Sequence, residues 1–285
     1  MSELTHVGYI GLGSIGKPSA FRLLQGSWTT CVFDVVEAAV EELVAQGALA
    51  CESPAELARV CQHIGICVRD DTQVEQLLYG PGGLIANAGP DTCIAIHSTV
   101  SCAALERWVV DAAAAGVCVI DAAITGGAQA AAEGKLCYMV GGSVGSLIRA
   151  TPVFETSAER IVHAGDTGAG MLLKLCNNLM TYAEFMAMSE ACRLAEAGGL
   201  SIDVLREVGL SNGVVNDSMH RFVENRNALA SGCSEEEMAE IFGPFGRLGE
   251  KDLDCALASA EALGVTLPYT ERLREQIYAL FMNKA

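Results

Sequence analysis

The feature that most narrows what this chain can fold into is a short glycine-rich run, Gly11-Leu12-Gly13-Ser14-Ile15-Gly16. It follows directly on the apolar β-run Val7–Ile10 and leads into a helical stretch, Ile15–Gln25. Glycines at this spacing have separable jobs at a strand-to-helix turn. Gly11 permits the tight turn, Gly13 lets the backbone approach a pyrophosphate, and Gly16 lets helix and strand come close. Free amides at the helix start, reinforced by the helix dipole, favour negative charge. The whole run, Leu12, Ser14 and Ile15 included, therefore reads as a dinucleotide-phosphate site; the bland reading is a glycine-rich turn with no ligand.

The second strand, Thr30–Phe33, ends at Asp34. An acid there accepts hydrogen bonds from the adenosine ribose hydroxyls and repels a 2′-phosphate. Val35 and Val36, which follow, offer no arginine to such a phosphate, so the expected cofactor is NAD rather than NADP. The alternative is that Asp34 only caps the next helix.

Further candidate strands are His63–Val68, Thr92–His97, Val117–Asp121 and Leu136–Val140, alternating with helices such as Val36–Gln46 and Cys102–Ala115. Ser53, Pro54 and Glu56 make a helix start with a capping box. This alternation predicts an α/β fold: an N-terminal Rossmann-type parallel sheet with helices on both faces. After His163 the character changes. Gly168 to Ala197 reads as one long helix, apolar nearly all round and so expected to be buried on most sides. Ile202–Val208, Ser218–Asn225, Asp252–Leu263 and Pro268–Phe281 also read as helices. The expected domains are a dinucleotide-binding domain at 1–165, a long interdomain helix at 166–197 and an all-α substrate and oligomerisation domain at 198–285. The cleft between domains is the expected active site.

Composition excludes more than it proves. With 18 Lys and Arg against 35 Asp and Glu, the formal net charge is −17, the wrong sign for a phosphate backbone, so no nucleic-acid partner is expected. No apolar run reaches the length of a membrane span. The opening Met1-Ser2-Glu3-Leu4-Thr5-His6 lacks the basic and apolar regions of an export signal, and a cytoplasmic location is expected. Twelve cysteines are scattered without a CxxC pair. Several fall in candidate core strands (Cys31, Cys67, Cys93, Cys118, Cys137) and read as reduced, small apolar side chains. No cysteine or histidine grouping has metal-ligand spacing, so no metal is expected. An apolar all-α second domain points to a homodimer or homotetramer.

The second half carries one polar stripe. On the long helix Lys174, Asn177, Asn178 and Thr181 fall within about 100° of one another. A lysine on a mostly buried helix needs a partner or a lowered pKa, and a lowered ammonium pKa suits proton transfer near neutrality. Gly168 and Gly170 would let a backbone or ligand come close to the helix start. The alternative is an ordinary solvated stripe.

On these residues the chain resembles the β-hydroxyacid dehydrogenases, the group that includes 3-hydroxyisobutyrate dehydrogenase and tartronate semialdehyde reductase, along almost its whole length. The loop Gly11-Leu12-Gly13-Ser14-Ile15-Gly16-Lys17-Pro18 is similar to the family's opening. Asp121-Ala122-Ala123-Ile124-Thr125-Gly126-Gly127 stands where the family has Asp-Ala-Pro-Val-Ser-Gly-Gly. Gly168 to Asn178 resembles its catalytic helix, Lys251-Asp252-Leu253 its C-terminal Lys-Asp pair, and His97-Ser98-Thr99-Val100-Ser101 a segment beside the nicotinamide.

The resemblance implies hydride transfer between NAD(H) and a small β-hydroxy acid or its semialdehyde or keto form, with Lys174 as general acid/base. It implies that Asn178 bonds the reacting oxygen or the carboxylate, and that Thr125 with the Gly126 and Gly127 amides holds the carboxylate. Asp252 would lie at the rim of the substrate pocket, Thr99 and Lys251 near the nicotinamide, with Val68 also among the cofactor residues. Thr125 for the family's serine keeps a hydroxyl in a tighter pocket; Ala123 for its proline should loosen the loop presenting Thr125. A surface ion pair is the alternative for Lys251 and Asp252. The alternative functions are an imine reductase-like NAD(P)H enzyme, which generally lacks the lysine, and a non-catalytic NAD-binding scaffold. Trp28, Trp108 and the long helix's methionines read as packing, and Glu235-Glu236-Glu237 as a solvated helix start. Arg69 and Asp70 take no role.

Overall fold

The computed structural model describes residues 4–90 and 92–284. Residues 1–3, part of the opening stretch read for an export signal, lie outside the described residues. Eight strands, His6–Ile10 (β1), Thr29–Phe33 (β2), Leu49–Ala50 (β3), His63–Ile66 (β4), Cys93–Ile96 (β5), Cys118–Thr125 (β6), Leu136–Gly141 (β7) and Ala158–Gly165 (β8), make one sheet. Its order is β3-β2-β1-β4-β5-β6-β7-β8. Every pairing is parallel except β6 with β7. The expected α/β class holds, with one antiparallel pair inserted where the family-like Asp121–Thr125 stretch extends β6 four residues beyond the expected end.

Helices Gly16–Leu23 (α1), Glu37–Val44 (α2), Pro54–Val60 (α3), Asp71–Leu78 (α4), Leu84–Asn87 (α5), Cys102–Ala114 (α6), Gly127–Glu133 (α7) and Val144–Phe154 (α8) connect the strands. Strand residues alternate between faces. Ile64, Ile66, Ile94 and Ile96 pack with Leu57 of α3, Leu78 of α4 and the fully buried Trp108 of α6. On the other face Ala95, Ile120 and Ala122 meet Ala150 and Phe154 of α8, and Val7 and Tyr9 meet Ala20 and Leu23 of α1. Ser53 caps α3, its hydroxyl accepting from the Glu56 amide at 3.2 Å. The reciprocal bond of the expected box is shifted by one residue: the Glu56 carboxylate takes the amide of Glu52, 2.6 Å away.

Two strands were absent from the sequence reading. β3 is two residues long, too short to show a period. β8, Ala-Glu-Arg-Ile-Val-His-Ala-Gly, is an edge strand with no buried residue, so its sequence lacks the alternation that marks a half-buried strand.

The chain divides into two compact units, one ending at Lys174 and the other beginning at Leu175. The second is all helical: most of Ala169–Ala197 (α9), then Ile202–Asn212 (α10), Asp217–Ala230 (α11), Glu235–Ala262 (α12) and Pro268–Phe281 (α13). The expected helix Asp252–Leu263 is the last part of α12, which runs on through Pro244. Gly246 and Gly249 let α13 come close: a Cβ at Gly246 would stand 2.9 Å from the Tyr278 ring, and one at Gly249 2.8 Å from Ile277. One expectation for α9 fails. Met171, Leu175, Met186 and Met188 are buried, but Leu173, Met180 and Leu194 are 38%, 58% and 77% exposed. With Ala187 they form an exposed line repeating every two turns, so the apolar circumference is only partly covered. Among the described residues no helix is long and apolar enough to cross a membrane.

Candidate active site

The glycine run closes at the carboxyl end of β1, beside β4, where the strand order reverses; in open α/β sheets this is where ligands bind. Gly11 has φ +92°, and a Cβ there would collide with the Cys67 carbonyl and stand 3.1 Å from Val68. A Cβ at Gly16 would collide with the Gly11 carbonyl oxygen. Both glycines answer to the protein's own packing. Gly13 does not: a Cβ there would meet nothing within 4 Å. The room it leaves is not needed by the protein, which fits a phosphate lying against that backbone. The Asp34 carboxylate accepts from the amides of Leu12 at 2.5 Å and Val36 at 2.8 Å. It thus joins the turn to the end of β2 and is held in place while retaining acceptor capacity. Lys17, at the start of α1, pairs with Glu42 at 2.7 Å.

At the carboxyl ends of β4 and β5 the backbone amide of Val68 donates to Ser98 Oγ at 2.8 Å. This bond ties Val68 to the segment carrying Thr99. His97 turns the other way, into the core, where it is 4% exposed, stacks on Tyr9 and takes a 2.8 Å hydrogen bond to the Ala122 carbonyl. Burial pushes its pKa down to about 4, so it is a neutral core side chain. The β6 strand ends at Thr125, half-buried, and the chain leaves it through Gly126 at φ +130° and Gly127 at φ +77°. Both angles lie in the region side-chain-bearing residues rarely adopt, so the turn that exposes these amides requires glycine. Ala123 loosens nothing: it sits fully buried inside β6, paired with Met139 of β7.

Asp121 fixes the start of the helix that carries Lys174. This carboxylate is 0% exposed and accepts from the amides of Gly168 and Met171, each at 2.9 Å. It therefore caps the start of α9, where free amides point outward. Burial raises its pKa, and the backbone amides that bond its charged form oppose the rise. Gly170 lies against β7; a Cβ there would stand 2.6 Å from the Gly141 amide and 2.9 Å from Asp121. The close approach expected at the helix start is thus to backbone. One turn on, the partly buried Lys174 brings its charge near Cys67. Burial pushes that thiol up to about 11, opposed by its bond to Tyr9 and by the Lys174 charge. Cys67 is the residue whose carbonyl backs the Gly11 turn, so the Lys174 charge acts near that turn.

The remaining predicted residues meet within the helical unit. Asn178, 9% exposed, donates through Nδ2 to Asp252 Oδ2 at 2.7 Å, and the Tyr182 hydroxyl donates to the same oxygen at 2.9 Å. Lys251 Nζ stands 3.0 Å from Asp252 Oδ1. Asp252, expected at a pocket rim, is 2% exposed, so the alternative of a surface ion pair with Lys251 fails on its acidic side. Burial, then the neighbouring carboxylate, pushes Tyr182 well above its ordinary range, so it acts as a donor. Thr181 spends its hydroxyl on the Asn177 carbonyl at 3.0 Å.

The first part of the chain, residues 6–165, matches the family model of the NAD binding domain of 6-phosphogluconate dehydrogenase. Residues 168–284 match the model described as NAD-binding of NADP-dependent 3-hydroxyisobutyrate dehydrogenase. The chain belongs to the β-hydroxyacid dehydrogenases. Its relatives in this family include 2-(hydroxymethyl)glutarate dehydrogenase of Eubacterium barkeri, 33% identical over 95% of this chain and 87% of that one. The NAD-dependent L-serine dehydrogenase of Pseudomonas aeruginosa is 31% identical over 99% and 93%. Among solved structures, 3-hydroxyisobutyrate dehydrogenase of Mycobacterium tuberculosis with L-serine superposes with a TM-score of 0.82 at 27% identity, covering 96% of this chain and 93% of that chain. As a β-hydroxyacid dehydrogenase the chain is an NAD-linked oxidoreductase of small hydroxy acids.

Three residues of this β-hydroxyacid dehydrogenase escaped the sequence reading. Asp121 was quoted only as part of a motif; its partners, the amides of Gly168 and Met171, lie 47 and 50 residues away, so no local signal marked it. Ser98 was quoted only within the His97–Ser101 segment and Tyr182 was assigned no role, because their partners lie 30 and 70 residues away. Asp70, left without a role, is the N-cap of α4, accepting from the Gln73 amide at 2.9 Å.

Proposed function

We propose that the chain moves a hydride to or from the hydroxyl-bearing carbon of a small β-hydroxy acid, with Lys174 as the proton-transfer residue. The nicotinamide, when bound, supplies the hydride chemistry; the chain's residues bind, orient and manage the proton. Gly11 through Gly16 hold the pyrophosphate and Asp34 the adenosine ribose, with Val68, Thr99 and Lys251 as further cofactor contacts. Thr125 and the amides of Gly126 and Gly127 hold the substrate carboxylate. Neutral Lys174 accepts the hydroxyl proton in oxidation, and its ammonium donates in reduction. Asn178 bonds the reacting oxygen or the carboxylate, its orientation set by Asp252.

The observation that carries this reading is the pairing of Lys174 with a fixed helix start. Asp121 holds the first amides of α9, and the lysine one turn along brings its charge to Cys67 behind the nucleotide turn. The test is Lys174→Ala. Turnover should fall by about 10² or more while NADH affinity stays within about twofold. Unchanged turnover would remove Lys174 from the mechanism. NADH consumption with semialdehydes, ketones and imines separates hydroxy-acid chemistry from C=N reduction, and no turnover with any of them would favour a binding scaffold.

We further propose a cytoplasmic homodimer or homotetramer without nucleic-acid or membrane partners. The exposed apolar line of α9, with Leu194 77% and Met180 58% exposed, supports self-association. The formal charge of −17 weighs against nucleic acid. Sedimentation equilibrium showing a monomer at working concentration would remove the assembly from the proposal.

A further inference from the structure

At the amino ends of β5 and β6, opposite to the strand ends that carry Val68, Thr99 and Thr125, two cysteines face each other. Cys93 and Cys118 are direct register partners on these parallel strands, so their Cα atoms stand about 4.8 Å apart. That separation lies inside the range, about 4.4–6.8 Å, over which two cysteines can be bridged. Direct partners point to the same face, and the two thiols hydrogen-bond each other. Cys118 Sγ also lies 3.2 Å from Ser146 Oγ and beside the Arg149 guanidinium, both from α8. Cys93 is 3% exposed, whereas Cys118 is half-buried. The row continues on β4 with His63, the register partner of Cys93.

We propose that Cys93 and Cys118 form a dithiol site oxidised by hydroperoxides, with Cys118 attacked first and Cys93 resolving it. The asymmetry of the pair gives each thiol its task. Cys118 receives hydrogen bonds and positive charge at its sulfur and has access to solvent; Cys93 sits behind it in the core. The bond from Cys93, aided by Ser146 and Arg149 against the cost of burial, pulls Cys118 down to about 6. The same bond, with burial, pushes Cys93 well up. The pair thus favours a Cys118 thiolate beside a Cys93 thiol, the combination that reacts with peroxide and then closes.

In the first step the Cys118 thiolate attacks a peroxide oxygen. A sulfur–oxygen bond forms, the O–O bond breaks, and hydroxide leaves and takes up a proton as water. In the second step Cys93 Sγ attacks the Cys118 sulfur. The disulfide forms, the sulfur–oxygen bond breaks, and the departing hydroxide carries off the Cys93 proton as a second water. Two thiols lose two electrons and two protons, and one hydrogen peroxide is reduced. Cys51 is a poor competitor: contact with Cys31, then burial, pushes it far above its ordinary range.

The test is a non-reducing peptide map of the full chain after hydrogen peroxide treatment. A Cys93–Cys118 peptide pair, lighter by two hydrogens than the reduced pair, is expected. Cys93→Ser should leave a Cys118 sulfenic acid that dimedone traps, and Cys118→Ser should yield neither product. Without any substitution, iodoacetamide at about pH 6.5 should alkylate Cys118 about tenfold faster than the exposed Cys176, because only the thiolate reacts. A disulfide elsewhere, or Cys176 as the faster thiol, overturns the proposal.

Discussion

Asp121 and Asp252 are both buried carboxylates, 0% and 2% exposed, and both hold residues of α9, but with different kinds of partner. In the sheet unit, Asp121 accepts backbone amides at the start of α9. In the helical unit, Asp252 accepts side-chain donors, Asn178 and Tyr182, and faces Lys251. A backbone-held acid fixes where a helix begins, whatever residues follow. A side-chain-held acid fixes the orientation of particular functional groups and constrains their identity. The first should therefore show itself mainly in stability and the second in turnover.

The largest expected effect follows from breaking the first of these. Asp121→Ala strands the buried Met171 amide, at about 1–3 kcal/mol, and the part-buried Gly168 amide, at less, so urea unfolding should lose about 3 kcal/mol. A loss under about 1 kcal/mol would show that the α9 start is satisfied another way.

The second effect is smaller in stability and larger in chemistry. Asp252→Ala removes the acceptor of Asn178 and Tyr182, at a cost of about 2 kcal/mol, since the partly exposed Lys251 can turn to water. Turnover should fall about tenfold or more, with NADH affinity little changed. Equal losses of stability at the two aspartates, with full turnover in the Asp252 variant, would erase the distinction.

The smallest effect sharpens the comparison by acidification. Burial first, then the charges of His97 and Arg149, holds His63 down to about 3, and burial holds His97 to about 4. An unfolded chain binds those protons near pH 6.5. Both groups are neutral in either state above that value, so they contribute no slope there. As pH falls from about 6.5 toward 4, the unfolded state takes up protons the folded state refuses, and stability drops by about 1.4 kcal/mol per pH unit for each histidine. His63→Phe removes one such site and leaves no partner stranded, since neither ring nitrogen has one. The acid-unfolding midpoint should fall by about half a pH unit, read by near-ultraviolet circular dichroism. An unmoved midpoint would mean that His63 is protonated in the folded chain.

Much of the sheet unit was legible because its signals are local. Gly11, Gly13 and Gly16 state their turn within six residues, and Ser53-Pro54 states a helix start. The apolar strands through Ile64, Ile94 and Val119 announce burial on both faces. What escaped lacked a local signal. β8 is an edge strand with little to bury, and α12 runs through Gly243 and Pro244 because Tyr278 and Ile277 of α13 pack against its glycines. The stripe of Lys174 and Asn178 was visible on a helical wheel, whereas Asp252 and Tyr182 as partners of Asn178 were not. The cysteines were read as inert core; the register that joins Cys93 to Cys118 depends on how β5 pairs with β6.

By itself, then, the order of residues determined the alternation of strands and helices, the nucleotide turn and the family, since each is written in near-neighbour spacing and turn chemistry. Tertiary structure alone decided which buried groups answer one another: Asp121 to the α9 amides, Asp252 to Asn178, and Ser98 to Val68. Those choices join residues 30 to 74 positions apart. A buried polar group must find its partner wherever the folded chain brings one, and that is a property of the packing rather than of its neighbours in sequence.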